Sequence, residues 1–212
     1  MNPYVVIDIG GTSIKYGLAD AKGQLLETHE MPTEAQKGGP HILNTTKEIV
    51  ARYLKKHPLA GGAISSAGMV DPDKGEIFYA GPQIPNYAGT QFKKEIEETF
   101  QIPCEIENDV NCAGLAEVTT GHAKGSNNAV CLTIGTGIGG CLLLDGQVFH
   151  GFSNSACEVG YLHLPDGAFQ DLASTTALVE YVAEHHGDPV EQWNGRRIFK
   201  QATEGDKICM AG

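Results

Sequence analysis

Two stretches of this chain repeat one layout. Each has an apolar strand-forming run, a turn rich in glycine and threonine, an apolar return run and then a turn containing aspartate. The first copy is Tyr4 to Ile9, Gly10-Gly11-Thr12, Ile14 to Leu18 and Asp20 to Gly23. The second is Ala129 to Ile134, Gly135-Thr136-Gly137-Ile138-Gly139-Gly140, Cys141 to Leu144 and Asp145-Gly146. Short β-type runs punctuated by glycine read as strands joined by tight turns, so each copy opens a lobe as an antiparallel ribbon. Repetition of the unit points to one lobe duplicated as another.

Between the copies, strands alternate with helices. A third strand is predicted over Gln24 to Glu30, and a helix over His41 to Leu54, where Ile42, Ile49, Val50 and Leu54 share one side and Pro58 stops the run. A buried strand is predicted from Gly62 into the small-residue loop ending at Gly68, and a helix over Gln91 to Phe100. In that helix Lys93-Glu97 and Lys94-Glu98 stand at i,i+4 spacing and read as a solvated face. A short strand, Pro103 to Ile106, leads to a helix over Asp109 to Val118. The class is therefore α/β, with an N-terminal lobe over 1–118, a second lobe over 119–212 and the boundary near residues 118 to 125.

Composition removes several function classes. A formal net charge of -11 with 15 scattered Lys and Arg repels polyanions, so no nucleic-acid partner is expected. The chain enters its first strand from Met1-Asn2-Pro3, with no basic leader and no run of about 20 apolar residues, which reads as cytoplasmic and away from membranes. Six cysteines include no CxxC or CxC pair, so free, buried thiols are expected in place of a disulfide framework.

Glycine turns between strands leave backbone N–H groups open, and a backbone without Cβ can approach phosphate oxygens closely. Gly10, Gly11 and Thr12, with Gly135, Thr136 and Gly137, could thus grip one nucleotide tail. Taken alone, either turn could equally be a plain hairpin. Gly135, Gly137 and Gly140 also fit GxGxxG, but a β-type run follows where a dinucleotide fold needs a helix, and no GxxxxGK[ST] run is present. Asp8 inside an apolar strand is costly unless paired or facing a metal, so it is read as a partner of phosphate-bound Mg²⁺, directly or through water. Glu107-Asn108-Asp109-Val110-Asn111 has two readings. It can be helix capping, or it can present Asp109 as the base for an attacking hydroxyl with Asn108 holding a neighbouring hydroxyl.

Five segments in order make a resemblance specific: Asp8 to Thr12, Ser66-Ala67-Gly68-Met69-Val70-Asp71, Glu107 to Asn111, Gly135 to Gly140, and Glu158-Val159-Gly160. Together they resemble the ROK family of bacterial hexose and amino-sugar kinases, and the likeness extends at least to Ala177. It implies an actin-like, ribonuclease H-type fold of duplicated lobes that binds its sugar between lobes. It also implies ATP and Mg²⁺ as cofactors, Asp109 as the catalytic base and a pocket lined by Gly68, Asn108, Asp109 and Glu158. Transfer to the 6-hydroxyl of a hexose or amino sugar is the implied reaction, and a homodimer the usual assembly.

The likeness has gaps. Tyr161 stands where the family carries a histidine, and the cysteine-rich zinc loop is replaced by Leu164 to Phe169, so no zinc is expected there. Lone His163 reads as a structural or surface residue, and Gln170 stands where the family often has a sugar-contacting Glu; its amide can still bond a hydroxyl. The family's last glycine-rich strand turn and final helices have no counterpart before Gly212, so the second lobe is expected to be incomplete. Glucose, N-acetylmannosamine and a β-glucoside remain open as substrates. Two alternatives are a catalytically weak sugar-binding fragment and a ROK-type sugar sensor. The sensor would need a helix-turn-helix ahead of the first strand, which here begins at Tyr4.

Overall fold

A computed structural model describes residues 2–212. The chain divides into two compact units, residues up to Ala113 and residues from Gly114 onward.

In the first unit, β1 (Tyr4–Ile9), β2 (Ser13–Ala19) and β3 (Leu25–Pro32) form the antiparallel meander expected from the sequence. Helix α1 (Gly39–Leu54) leads to β4 (Gly61–Ser66), which pairs parallel with β1. The hairpin β5 (Met69–Asp71) and β6 (Glu76–Tyr79) and helix α2 (Phe92–Phe100) precede β7 (Cys104–Asn108), which pairs parallel with β4. The resulting sheet order is β3-β2-β1-β4-β7. Helix α3 (Asp109–Thr119) starts directly from the end of β7.

The pleat gives the sheet two different faces. Val5, Ile7 and Ile9 alternate into a core shared with Ile42, Ile49 and Val50 of α1, Phe92 and Ile96 of α2, and Ile64 and Ile106 of the neighbouring strands. Each fully buried aliphatic of this kind contributes about 1.5–3 kcal/mol, which favours this register over a one-residue slip. The other face carries a polar row straight across all five strands. Glu30 is opposite Lys15, Lys15 opposite Asp8, Asp8 beside Ser65, and Ser65 beside Glu107.

Two of the charged residues of α2 that read as a solvated face bond outside the helix. Lys93 donates to Glu105 at 2.9 Å, and Glu97 accepts the Cys104 N–H at 3.0 Å. Tertiary neighbours outside the helix offered better geometry than the i,i+4 partners, so α2 is pinned to the head of β7.

The second unit contains β8 (Ala129–Ile134), β9 (Ile138–Leu144) and β10 (Gln147–Val148) as an antiparallel sheet in the order β10-β9-β8. A small hairpin, β11 (His163–Leu164) and β12 (Gly167–Ala168), leads into helices α4 (Phe169–Ala173), α5 (Thr175–His186), α6 (Gly195–Thr203) and α7 (Lys207–Ala211). Val182, Ala183, Trp193, Ile198 and Cys209 form the core under the last three helices. None of the six cysteines forms a disulfide: Cys104, Cys141 and Cys209 are buried and the other three half-buried. Among the described residues no helix is long and apolar enough to cross a membrane.

One glycine fixes the meander. At Gly17 a Cβ would stand 1.9 Å from the Glu27 carbonyl oxygen on β3, backbone that cannot swing away. Gly17→Ala is expected to lower stability by at least about 2 kcal/mol through forced strand separation, read as a drop in the urea midpoint.

Candidate functional site

The first glycine turn is held from behind. Gly10 N–H donates to the Ser13 carbonyl at 3.0 Å. Thr33, only 1% exposed, donates its hydroxyl to the Gly10 carbonyl at 2.6 Å and its N–H to the Thr12 carbonyl at 3.0 Å. With those carbonyls tied inward, the N–H groups of exposed Gly11 and Thr12 have no partner among the described residues. Two open amides on a braced turn make a concavity suited to an anion.

Asp8 lies on the polar face and is half-buried, so the burial cost inferred from its apolar strand is only partly realised. Ser65 on β4 donates its hydroxyl to Asp8 Oδ1 at 2.8 Å, while Oδ2 accepts no hydrogen bond among the described residues. A fixed carboxylate with one open oxygen could hold a hard divalent cation such as Mg²⁺.

At the junction of β7 and α3, capping and site geometry prove to be one arrangement. Asn108 Oδ1 accepts the N–H groups of Val110 at 2.9 Å and Asn111 at 3.1 Å, capping the helix. Its amide group donates to the Gly68 carbonyl at 2.9 Å and to Asp109 Oδ1 at 3.0 Å. All four hydrogen-bonding positions of that side chain are therefore filled, and a hydroxyl could contact Asn108 only by displacing one of them. Glu107 braces the junction from the other side, accepting the Asn108 N–H at 2.7 Å and the Asn111 side-chain amide at 3.0 Å.

Asp109 Oδ1 also accepts the Val110 N–H at 2.9 Å, and Oδ2 has no protein donor among the described residues. The residue is open to solvent, yet the surrounding protein withdraws enough hydration to push its pKa above the ordinary 3.8. Nearby Asp8 adds to the rise, against the lowering effect of the Val110 bond. Gly68 takes φ of 93°, and a Cβ there would stand 2.9 Å from the Tyr79 carbonyl oxygen, so glycine is required. Behind this loop, buried Ser66 and Tyr87 share a 2.7 Å hydroxyl contact. Asp71, which completes the matched segment, holds Lys74 N–H at 3.0 Å and Nζ at 2.8 Å and thus shapes a turn. Cys112 sits near Ser65, and burial pushes its thiol up to about 12, which leaves it inert as a nucleophile.

In the second unit, Gly135 N–H donates to the Gly137 carbonyl at 2.9 Å. The start of α5 secures the rest of that turn: Thr175 N–H donates to the Gly135 carbonyl and the Thr176 hydroxyl to the Thr136 carbonyl, both at 2.9 Å. A cavity of about 330 Å³ is lined by Gly135, Thr136, Gly137, Glu158, Tyr161 and Gln170. Six separately singled-out residues thus surround one space. The Gln170 amide oxygen covers Gly137, 2.9 Å from where a Cβ would be. His163 is exposed, and Arg197 stacks over Trp193 at 4.1 Å and donates to the Gln192 carbonyl, so that guanidinium has a structural role.

The sequence reading missed Thr33, Ser65, Thr175 and Thr176. None carries a distinctive local pattern; each acts across the fold. Ser65 could have been found by aligning the expected parallel strands, since it falls beside Asp8.

The mixed sheet with its antiparallel meander and the two braced glycine turns have the actin-like architecture of sugar kinases. The ROK family matches residues 4–211, and the chain belongs to that family. A protein of Clostridium perfringens described as uncharacterized is 50% identical over 209 residues, covering 99% of this chain and 71% of its own. A glucokinase of Halalkalibacterium halodurans is 31% identical over 210 residues, or 95% of this chain, which spans 59% of that enzyme's length. A ROK family glucokinase from Streptomyces griseus, solved in complex with glucose and AMPPNP, superposes with a TM-score of 0.80 at 26% identity, over 98% of this chain and 73% of its own.

The raised pKa of Asp109 has a sign. The folded state holds its proton more tightly than the unfolded chain, so ionising Asp109 destabilises the fold as pH rises from the ordinary value through the raised one. Asp109→Asn is expected to melt higher than the parent protein at pH 7, with the difference closing as pH falls from the raised value towards the ordinary one and gone below about 4, checked by thermal melts across pH.

Proposed function

We propose that this chain transfers the γ-phosphoryl group of ATP to a hydroxyl of a hexose or amino sugar, most simply the primary hydroxyl at carbon 6. The observation that carries this reading is Asp109, whose Oδ1 is anchored by Asn108 and Val110 while Oδ2 stays open. Phosphoryl transfer asks a protein mainly for positioning and electrostatics, with one group to orient and deprotonate the attacking hydroxyl.

Asp109 Oδ2 accepts that proton. Its raised pKa brings it nearer to the operating pH than an ordinary aspartate, which favours proton transfer. Asn108 fixes the base through its amide bond to Oδ1 and ties it to the Gly68 carbonyl, so the base and the sugar-side loop share one anchor. The open amides of Gly11 and Thr12, with the turn at Gly135, Thr136 and Gly137, would receive phosphate oxygens. Asp8 would hold Mg²⁺, directly or through water, with Ser65 fixing its orientation. Bound Mg²⁺ supplies neutralisation of the charge that develops on the phosphates. Glu158, Tyr161 and Gln170 offer a carboxylate, a phenol and an amide to sugar hydroxyls from their cavity.

A coupled ADP-release assay with Mg-ATP against a panel of hexoses and amino sugars tests the reading. Turnover is expected with at least one sugar, and Asp109→Asn should cut kcat by about 10²–10⁴-fold while sugar affinity changes little. If the variant keeps more than about a tenth of parental kcat, Asp109 is not the base. Sugar binding with no turnover in the parent protein would mean a binding unit in place of a kinase.

A further inference from the structure

Two of the last three helices, α5 and α7, deliver three ligating side chains to one spot. His186 ends α5, Asp206 caps α7, and Cys209 lies in the first turn of α7. His186 Nε2 is 3.3 Å from Asp206 Oδ2 and 4.0 Å from Cys209 Sγ, and the three ligand atoms lie within 4.8 Å of one another. Gln201 of α6 brings its Oε1 to 3.8 Å from the same sulfur. Cys209 is 5% exposed, and the His and Asp side chains are about a quarter exposed.

We propose that His186, Asp206 and Cys209 form a binding site for a zinc-class divalent cation that clips α5 to α7. The proposal is independent of the kinase reading, and it lies away from the loop of residues 161–169, where no zinc is expected.

Three features carry it. The donor set of imidazole nitrogen, thiolate sulfur and carboxylate oxygen suits Zn²⁺ and Co²⁺, whereas Mg²⁺ and Ca²⁺ prefer oxygen alone. Around one tetrahedral ion at about 2.0–2.3 Å per ligand the donor atoms stand about 3.3–3.7 Å apart, so the 3.3 Å pair already fits, the 4.0 Å pair must close by about half an ångström and no pair by more than about 1.5 Å, with Gln201 or water in the fourth position. Asp206 is divided in function: Oδ1 caps the helix by accepting the Ile208 and Cys209 N–H groups at 3.0 and 2.9 Å, which leaves Oδ2 aimed at His186. His186 is also oriented, since its ring stacks on Trp193 at 4.8 Å.

The clip would matter because the core beneath these helices rests on five buried residues, Val182, Ala183, Trp193, Ile198 and Cys209. So small a core is where a cross-link between helices adds most to stability. Binding replaces the Cys209 proton with the cation, so one proton leaves the thiol as the metal–sulfur bond forms.

The test uses Co²⁺ as the probe, added to the purified full chain. A thiolate-to-cobalt charge-transfer band is expected to saturate at one equivalent, to be displaced by Zn²⁺, and to accompany a higher melting temperature. Cys209→Ser should abolish the band. Asp206→Asn keeps a good helix cap but should weaken the metal by at least about tenfold. His186→Gln should do likewise, so a folding failure of any one variant leaves the others to decide. Absence of the band at equimolar Co²⁺, or its persistence in folded Cys209→Ser, would overturn the proposal.

Discussion

The alternation of β1 is the constraint on which the rest depends. Val5, Ile7 and Ile9 must face the helices to form the core, and this forces Asp8 onto the opposite face. A register slip of one residue would put the carboxylate into that core and three aliphatics into water, so hydrophobic burial indirectly aims the acidic side chain. Parallel pairing then sets Ser65 beside Asp8 and Glu107 beside Ser65. The polar row is a product of sheet register, and no single segment contains it.

Asn108 is the second hub. One side chain caps α3, holds Asp109 and ties both to the Gly68 carbonyl, with no hydrogen-bonding capacity left over. Capping and chemistry therefore do not compete here. The cap is the means by which the carboxylate is positioned, and rigid support of this kind is what the proposed base would require. Thr33 and the pair Thr175 and Thr176 play the corresponding part for the two glycine turns, binding carbonyls.

The second unit is built more lightly. Its edge strand β8 exposes Val130, Leu132 and Ile134 at 63%, 47% and 62%, and its helical core is small. Local polar devices therefore carry more of its definition. Ser174 and Asn194 cap α5 and α6, and Asp206 both caps α7 and faces His186.

By itself the sequence determined the first three helices, the longer strands, the α/β class and the family, because periodicity and glycine turns are local signals; it did not mark the hairpins at 69–79 and 163–168, the short strand β10 or the last four helices. It also singled out Asp8, Asp109 and both glycine turns as candidates, because they stand in short motifs. It read Lys93 and Glu97 only as part of a solvated face, whereas both side chains bond to the head of β7, because helical spacing does not show what lies beyond the helix. Only the tertiary structure decided that Ser65 holds Asp8, that Thr33 braces a turn 23 residues away, that the Asn108 side chain is saturated, and that His186 meets Cys209. Each of these depends on register or helix packing, which bring together residues that no local spacing relates.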